Sequence, residues 1–118
     1  MKKMTAMILA LVMVLALAAG AFAADVENGG QTPNDAGKYR VFVTDEAGNP
    51  VKGAAVQFCS DVACNLGKTN EDGIAEFDAP EGVYTVHMLK VPQGYEKNKV
   101  EVTTDTTYTD IFFVLKAA

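Results

Sequence analysis

The chain has 118 residues, of which 49% are apolar, and its 15 Asp and Glu outnumber its 10 Lys and Arg. A chain this size supports one domain with a modest core. Its acidity, with no run of Lys and Arg, argues against nucleic acid and against anionic membrane surfaces, because both need gathered cations.

Lys2 and Lys3 open the chain and an uncharged apolar run follows from about Met4 to Ala19. Gly20 breaks that run, and Ala21-Phe22-Ala23 is a small-x-small cleavage pattern. The order is that of a secretory signal peptide, residues 1–23. Kept in place, the run would also serve as a membrane anchor, which takes roughly 20 apolar residues. The cleavage pattern after a helix-breaking glycine favours removal. No cysteine lies near the site, which argues against a lipid-anchored form. Removal leaves 95 residues with 8 basic and 15 acidic side chains, a net charge of −7. The expected location is therefore outside the cell, secreted or associated with the cell surface.

Residues 24–37 hold one bulky apolar side chain, Val26, among Gly, Asn and Asp. They read as a flexible linker. From residue 38 to 118 the pattern is that of a β domain. Tyr39, Val41 and Val43 alternate with Arg40, Phe42 and Thr44, the period of a strand. Asp45-Glu46-Ala47-Gly48-Asn49-Pro50 is a turn. Ala54, Val56 and Phe58 form the apolar face of the next strand, and residues 59–65 read as an irregular loop. Asp72-Gly73 is a hairpin signal. Ala75 and Phe77 share one face of a short strand, and Tyr84, Val86 and Met88 point inward from the strand at 83–89. Pro92 and Gly94 mark a loop, and Val100 and Val102 mark a further strand. Ile111, Phe113 and Leu115 form the inner face of the last strand, with Phe112 and Val114 on its other side. Seven short strands are expected, with turn signals about every 8–12 residues, the signature of a sandwich or barrel.

Several pieces in order carry a family likeness. They are Val41-Phe42-Val43-Thr44-Asp45, Gly48-Asn49-Pro50-Val51-Lys52-Gly53-Ala54, the stretch from Thr69 to Gly73, Phe77, Gly82-Val83-Tyr84-Thr85-Val86, and Pro92-Gln93-Gly94-Tyr95. Together they resemble the prealbumin-like modules of bacterial surface proteins. The likeness is to the Cna B-type (SpaA-like) repeat, with the carboxypeptidase regulatory-like domain a near relation. It implies an all-β, seven-stranded, prealbumin (transthyretin)-like Greek-key sandwich used as a stalk, adhesin or binding module rather than as a catalyst. Many such domains also carry an intramolecular Lys–Asn isopeptide bond assisted by an acid. The likeness puts the Lys at Val43 and the acid at Met88, and the final strand has no Asn, so no isopeptide is expected. No Leu-Pro-x-Thr-Gly-like anchor follows the last strand, which departs from a wall-anchored stalk.

Few residues bear chemistry. Cys59 and Cys64 are the only cysteines, and in an exported chain they favour a structural disulfide. A redox pair is expected at closer spacing beside a helix. Zinc needs about four ligands, and His87 is the only histidine. It alternates away from Tyr84, Val86 and Met88 and has no nucleophile at a recognisable spacing. Asp45, Glu46, Glu71, Asp72 and Glu81 fall in turns without a calcium-loop pattern. Asp105 and Asp110, among threonines, read as a polar edge. No cofactor and no catalytic residue is expected. Phe42, Ile74, Leu89, Phe112 and Val114 alternate outward and form a candidate interface. The function expected is a non-enzymatic extracellular binding or adhesion module, monomeric, whose partner is an extracellular protein or a glycan. The alternatives are a structural component of a surface assembly and a carbohydrate-binding module.

Overall fold

A computed structural model describes residues 27–118, so the expected signal peptide and residues 24–26 lie outside the described residues. The described chain forms eight strands: β1 (Gln31–Pro33), β2 (Tyr39–Asp45), β3 (Ala55–Cys59), β4 (Cys64–Lys68), β5 (Ile74–Phe77), β6 (Thr85–Lys90), β7 (Glu101–Thr103) and β8 (Thr109–Leu115). One sheet has the order β1-β8-β2-β5 and the other β4-β3-β6-β7. The two pack as an all-β sandwich of the prealbumin type, with eight strands in place of the expected seven.

Alternation decides which side of each strand is buried. Tyr39, Val41 and Val43 of β2 and Ile111, Phe113 and Leu115 of β8 have no solvent exposure. Val56 and Phe58 of β3, Val86 and Met88 of β6 and Val102 of β7 face them from the second sheet as part of the same core. Val43 and Met88, where the family likeness would put a Lys and an acid, are both core side chains. β8 runs parallel to β2, with Arg40 opposite Asp110 and Asp45 opposite Leu115. The other strand pairs are antiparallel. Six of the seven β8 residues are buried, which suits its nearly unbroken apolar run.

An aromatic cluster fills one end of the core. The Tyr39 ring lies 5.3 Å from Phe58, 5.2 Å from Tyr84 and 5.1 Å from Tyr108. Phe58 stacks on Phe77 at 4.7 Å and on Tyr84 at 4.4 Å. The Tyr39 hydroxyl donates to Gly82 O at 3.0 Å and accepts from Gly82 N at 2.9 Å. It thus ties the first sheet to the turn before β6 and satisfies a phenol that would otherwise be buried unpaired.

Three expectations are corrected. Part of the supposed linker is β1, where Gln31 pairs with Ile111 and Pro33 with Thr109. Pairing there uses backbone groups and needs no apolar side chain, so composition did not reveal it. The expected irregular loop is shorter than 59–65: β3 runs to Cys59 and β4 begins at Cys64, pairing with β3 along its length. Asp72-Gly73 makes a turn but not a hairpin, because it carries the chain from β4 in one sheet to β5 in the other. Asn70 Oδ1 accepts from Asp72 N and Ile74 N, at 2.9 and 3.1 Å, and sets this turn. Gly73 has φ of 74°, and a Cβ there would stand 2.6 Å from Val43 O, so only glycine fits against β2.

Tyr39→Phe keeps the ring packing but removes the hydroxyl shared with Gly82. We expect it to lower stability by about 1–3 kcal/mol. Urea unfolding should show an earlier midpoint with an unchanged slope.

Candidate functional site

The outer face of the β1-β8-β2-β5 sheet gathers four of the five candidate interface residues. Phe42 stands opposite Ile74 on one side and Phe112 on the other. Val114 pairs across from Thr44, one step along the same face. The Phe42 and Phe112 rings stack at 5.3 Å with a 26° interplanar angle. Phe112 is buried, at 5% exposure, while Phe42, Ile74 and Val114 are half-buried. Phe112 is thus not the open side chain that alternation alone predicts. Leu89 is not part of this face: it lies on the other sheet and is 51% exposed.

The next row of the same face is ionic. Arg40 donates from Nε to Asp110 Oδ1 and from a terminal nitrogen to Oδ2, both at 2.8 Å. Asn34 Nδ2 donates to Asp110 Oδ1, also at 2.8 Å. The guanidinium carbon lies 5.4 Å from the centre of the Phe42 ring. The hydrogen bond to Asp110 raises the Arg40 pKa above its ordinary value, against the opposing effect of burial, with Glu76 adding a smaller rise. Asp110 is only 8% exposed on the second strand of its sheet, so it is a buried acceptor and not a polar edge residue. Its partners lie 70 and 76 residues away in sequence, beyond the reach of a local pattern.

At one end of the second sheet, Cys59 and Cys64 face each other across the β3–β4 pair and are joined as a disulfide. The tip between them is ordered by Ser60, whose N donates to Ala63 O at 2.8 Å and whose Oγ accepts from Val62 N and Ala63 N. Val62 projects from this tip at 88% exposure.

A groove of about 840 Å³ lies on the outer face of the β4-β3-β6-β7 sheet, toward its other end. Leu66 of β4 and Leu89 of β6 line it, at 64% and 51% exposure. Ala55, Val91 and His87 contribute to the same lining. Four lysines surround it: Lys68, Lys90, Lys97 and Lys99. Glu101 is the one acid in the lining. Asn98 pins the loop that carries Lys97 and Lys99: its Nδ2 donates to Asn28 Oδ1 at 2.8 Å and Val114 O at 3.2 Å, and its Oδ1 accepts from Val100 N at 3.0 Å. The sequence has no run of Lys and Arg, yet the fold brings four lysines to one groove. The lysines are spread over 32 positions, and only the fold collects them.

Three of the five acidic turn residues have structural partners. Asp45 Oδ1 accepts from Ala47 N and Asn49 N at 2.9 Å, Glu71 pairs with Lys52 at 3.7 Å, and Glu81 Oε2 accepts from Tyr108 N at 3.0 Å. Among the described residues, no three His, Cys, Asp or Glu side chains gather in a way that could hold a metal ion.

No protein-family model matches the chain. No curated protein matches it either. Solved structures do. The TIE protein of Bacillus anthracis is similar over 70% of this chain and 16% of its own length, with 20% identity and a TM-score of 0.65. The major pilin subunit of Bacillus cereus is similar over 69% of this chain and 28% of its own, with 16% identity and a TM-score of 0.53. The minor pilin of Streptococcus agalactiae is similar over 77% of this chain and 46% of its own, with 10% identity and a TM-score of 0.55. The chain thus spans less than half the length of each of these proteins, and what it shares with them is the fold.

Two substitutions separate the ion pair from the disulfide. Asp110→Asn leaves Arg40 without its counter-charge in a partly buried site, and we expect a loss of about 1–3 kcal/mol in thermal or urea unfolding. Cys59→Ser with Cys64→Ser opens a six-residue loop, which should cost about 2 kcal/mol. The fold should survive that change, with β-sheet circular dichroism retained.

Proposed function

We propose that this protein is a secreted, non-catalytic β-sandwich module of a Gram-positive cell-surface assembly, of the Cna B type that its sequence resembles. The observation that carries this reading is the recurrence of its fold in pilin subunits, where it occupies only part of a longer chain. A fold used as one unit among several suits a building block. This favours the structural role over free-standing adhesion, which the sequence alone put first.

The chemistry of the interior is compatible with such a role. Apolar Val43 and Met88 fill the positions that the family likeness gives to a reactive Lys and its acid, so the module relies on packing and on the Cys59–Cys64 bond. The carbohydrate reading has less support. The large apolar side chains most exposed among the described residues are Val62, Leu66, Val83 and Leu89, all aliphatic. Glycan sites depend on aromatic faces, and the rings here are mostly engaged with one another.

The test is cell fractionation of a bacterium expressing the full tagged chain, with and without chemical crosslinking. We expect a product shortened by residues 1–23 in the surface fraction, and crosslinked species heavier than the monomer. Retention in the cytoplasm, or release as a monomer that forms no crosslinks, would overturn the proposal.

A further inference from the structure

We propose that the lysine-rimmed groove on the outer face of the β4-β3-β6-β7 sheet binds an acidic polypeptide segment that also carries apolar side chains. This inference goes beyond a role in surface assembly and stands on the groove alone.

Charge is the first argument. Residues 24–118 hold 8 basic side chains against 15 acidic ones, yet four of those eight cations border this one groove. Lys38, Arg40 and Lys52 are each committed to an acid elsewhere, in the ion pairs with Glu76, Asp110 and Glu71. Among the described residues, Lys68, Lys90, Lys97 and Lys99 make no such pair. Four like charges around one groove repel one another, and an anion that sits among them offsets that repulsion. The rest of the surface is acidic, so an anionic partner is repelled elsewhere and directed here.

The floor is the second argument. Leu66 and Leu89 are among the most exposed large apolar side chains of the described residues, and they meet in the same groove. Apolar groups left in water favour a partner that covers them. A purely anionic polymer would satisfy the lysines and leave the leucines wet. Nucleic acid binding draws on aromatic platforms for its bases, and no Phe, Tyr or Trp lines this groove. An extended peptide fits both demands, because its side chains alternate between two faces every second residue. Apolar residues would then meet Leu66 and Leu89 while carboxylates reach the four lysines of the rim.

The third argument is order. Three hydrogen bonds made by Asn98 fix the wall that bears Lys97 and Lys99. A wall held in place before binding loses less freedom on binding. Lysine presents a point charge and not a planar fork, so the groove would select charge and apolar spacing more than one particular carboxylate geometry.

Fluorescence anisotropy with the full chain, disulfide intact, tests this. The probe is a labelled peptide of alternating Glu and Leu, compared with alternating Glu and Ser and with alternating Lys and Leu. We expect saturable binding of the Glu/Leu peptide, about tenfold weaker binding of Glu/Ser, and none of Lys/Leu. Raising salt from about 0.05 to about 0.5 M should weaken the Glu/Leu complex at least about tenfold. Lys97→Ala with Lys99→Ala should weaken it about tenfold at an unchanged melting temperature, while Lys52→Ala, outside the groove, should leave it as it is. Leu89→Ala should erase the preference for Glu/Leu over Glu/Ser. Absence of saturation by Glu/Leu overturns the proposal, as does equal binding of the two acidic peptides. So does tighter binding of single-stranded DNA or of anionic lipid vesicles than of the Glu/Leu peptide.

Discussion

The parallel pairing of β2 with β8 is the constraint on which the rest of the domain depends. It joins the first long strand to the last, and it places Tyr39, Val41 and Val43 beside Ile111, Phe113 and Leu115 as one continuous inner surface. The second sheet has nothing to pack against until that surface exists. The same pairing organises the outer face, because it brings Phe42 beside Phe112 and Arg40 beside Asp110. One register therefore fixes a core row and an ionic row together. A slip of one residue would turn the core row outward.

The strands that bury one face were legible in the sequence because alternation records burial directly. Tyr39-Arg40-Val41-Phe42-Val43 and Ile111 to Leu115 are clear cases. β4 was not legible for the complementary reason. Its residues Cys64, Asn65, Leu66 and Lys68 are exposed, so no period of two is impressed on them. The strand is held by its backbone ladder to β3 and by the disulfide. β1 was hidden in the same way. The outer row of Phe42, Ile74, Phe112 and Val114 was found from alternation, but its degree of exposure was not, since neighbouring side chains cover one another. The groove was invisible apart from Leu89, because Lys68, Lys90, Lys97 and Lys99 come from a strand end, another strand end and a loop.

Charge is used in two different ways in this domain. Arg40 and Asp110 neutralise each other in a partly buried row, where the carboxylate also accepts from Asn34. Leaving either group alone there would cost more than the pair contributes. The lysines of the groove are the opposite case, since they are hydrated and unpaired among the described residues. An acidic chain thus keeps part of its small cation supply for internal order and gathers another part on one face.

The direction of the terminal strands has a mechanical consequence. Tension between the two ends of the domain would act first on β1 and on the bridge between Tyr95 and Ala117. Gln31 lies opposite Ile111 and the strand runs antiparallel to β8, so its pairs would open one after another, like a zipper. Beyond β1 the load would pass to Tyr39 and to Leu115, which sit at opposite ends of the parallel β2–β8 pair. There the hydrogen bonds lie across the line of pull and must fail together. The domain is therefore built to yield a short length of chain easily and then to resist, a property that follows from strand direction alone.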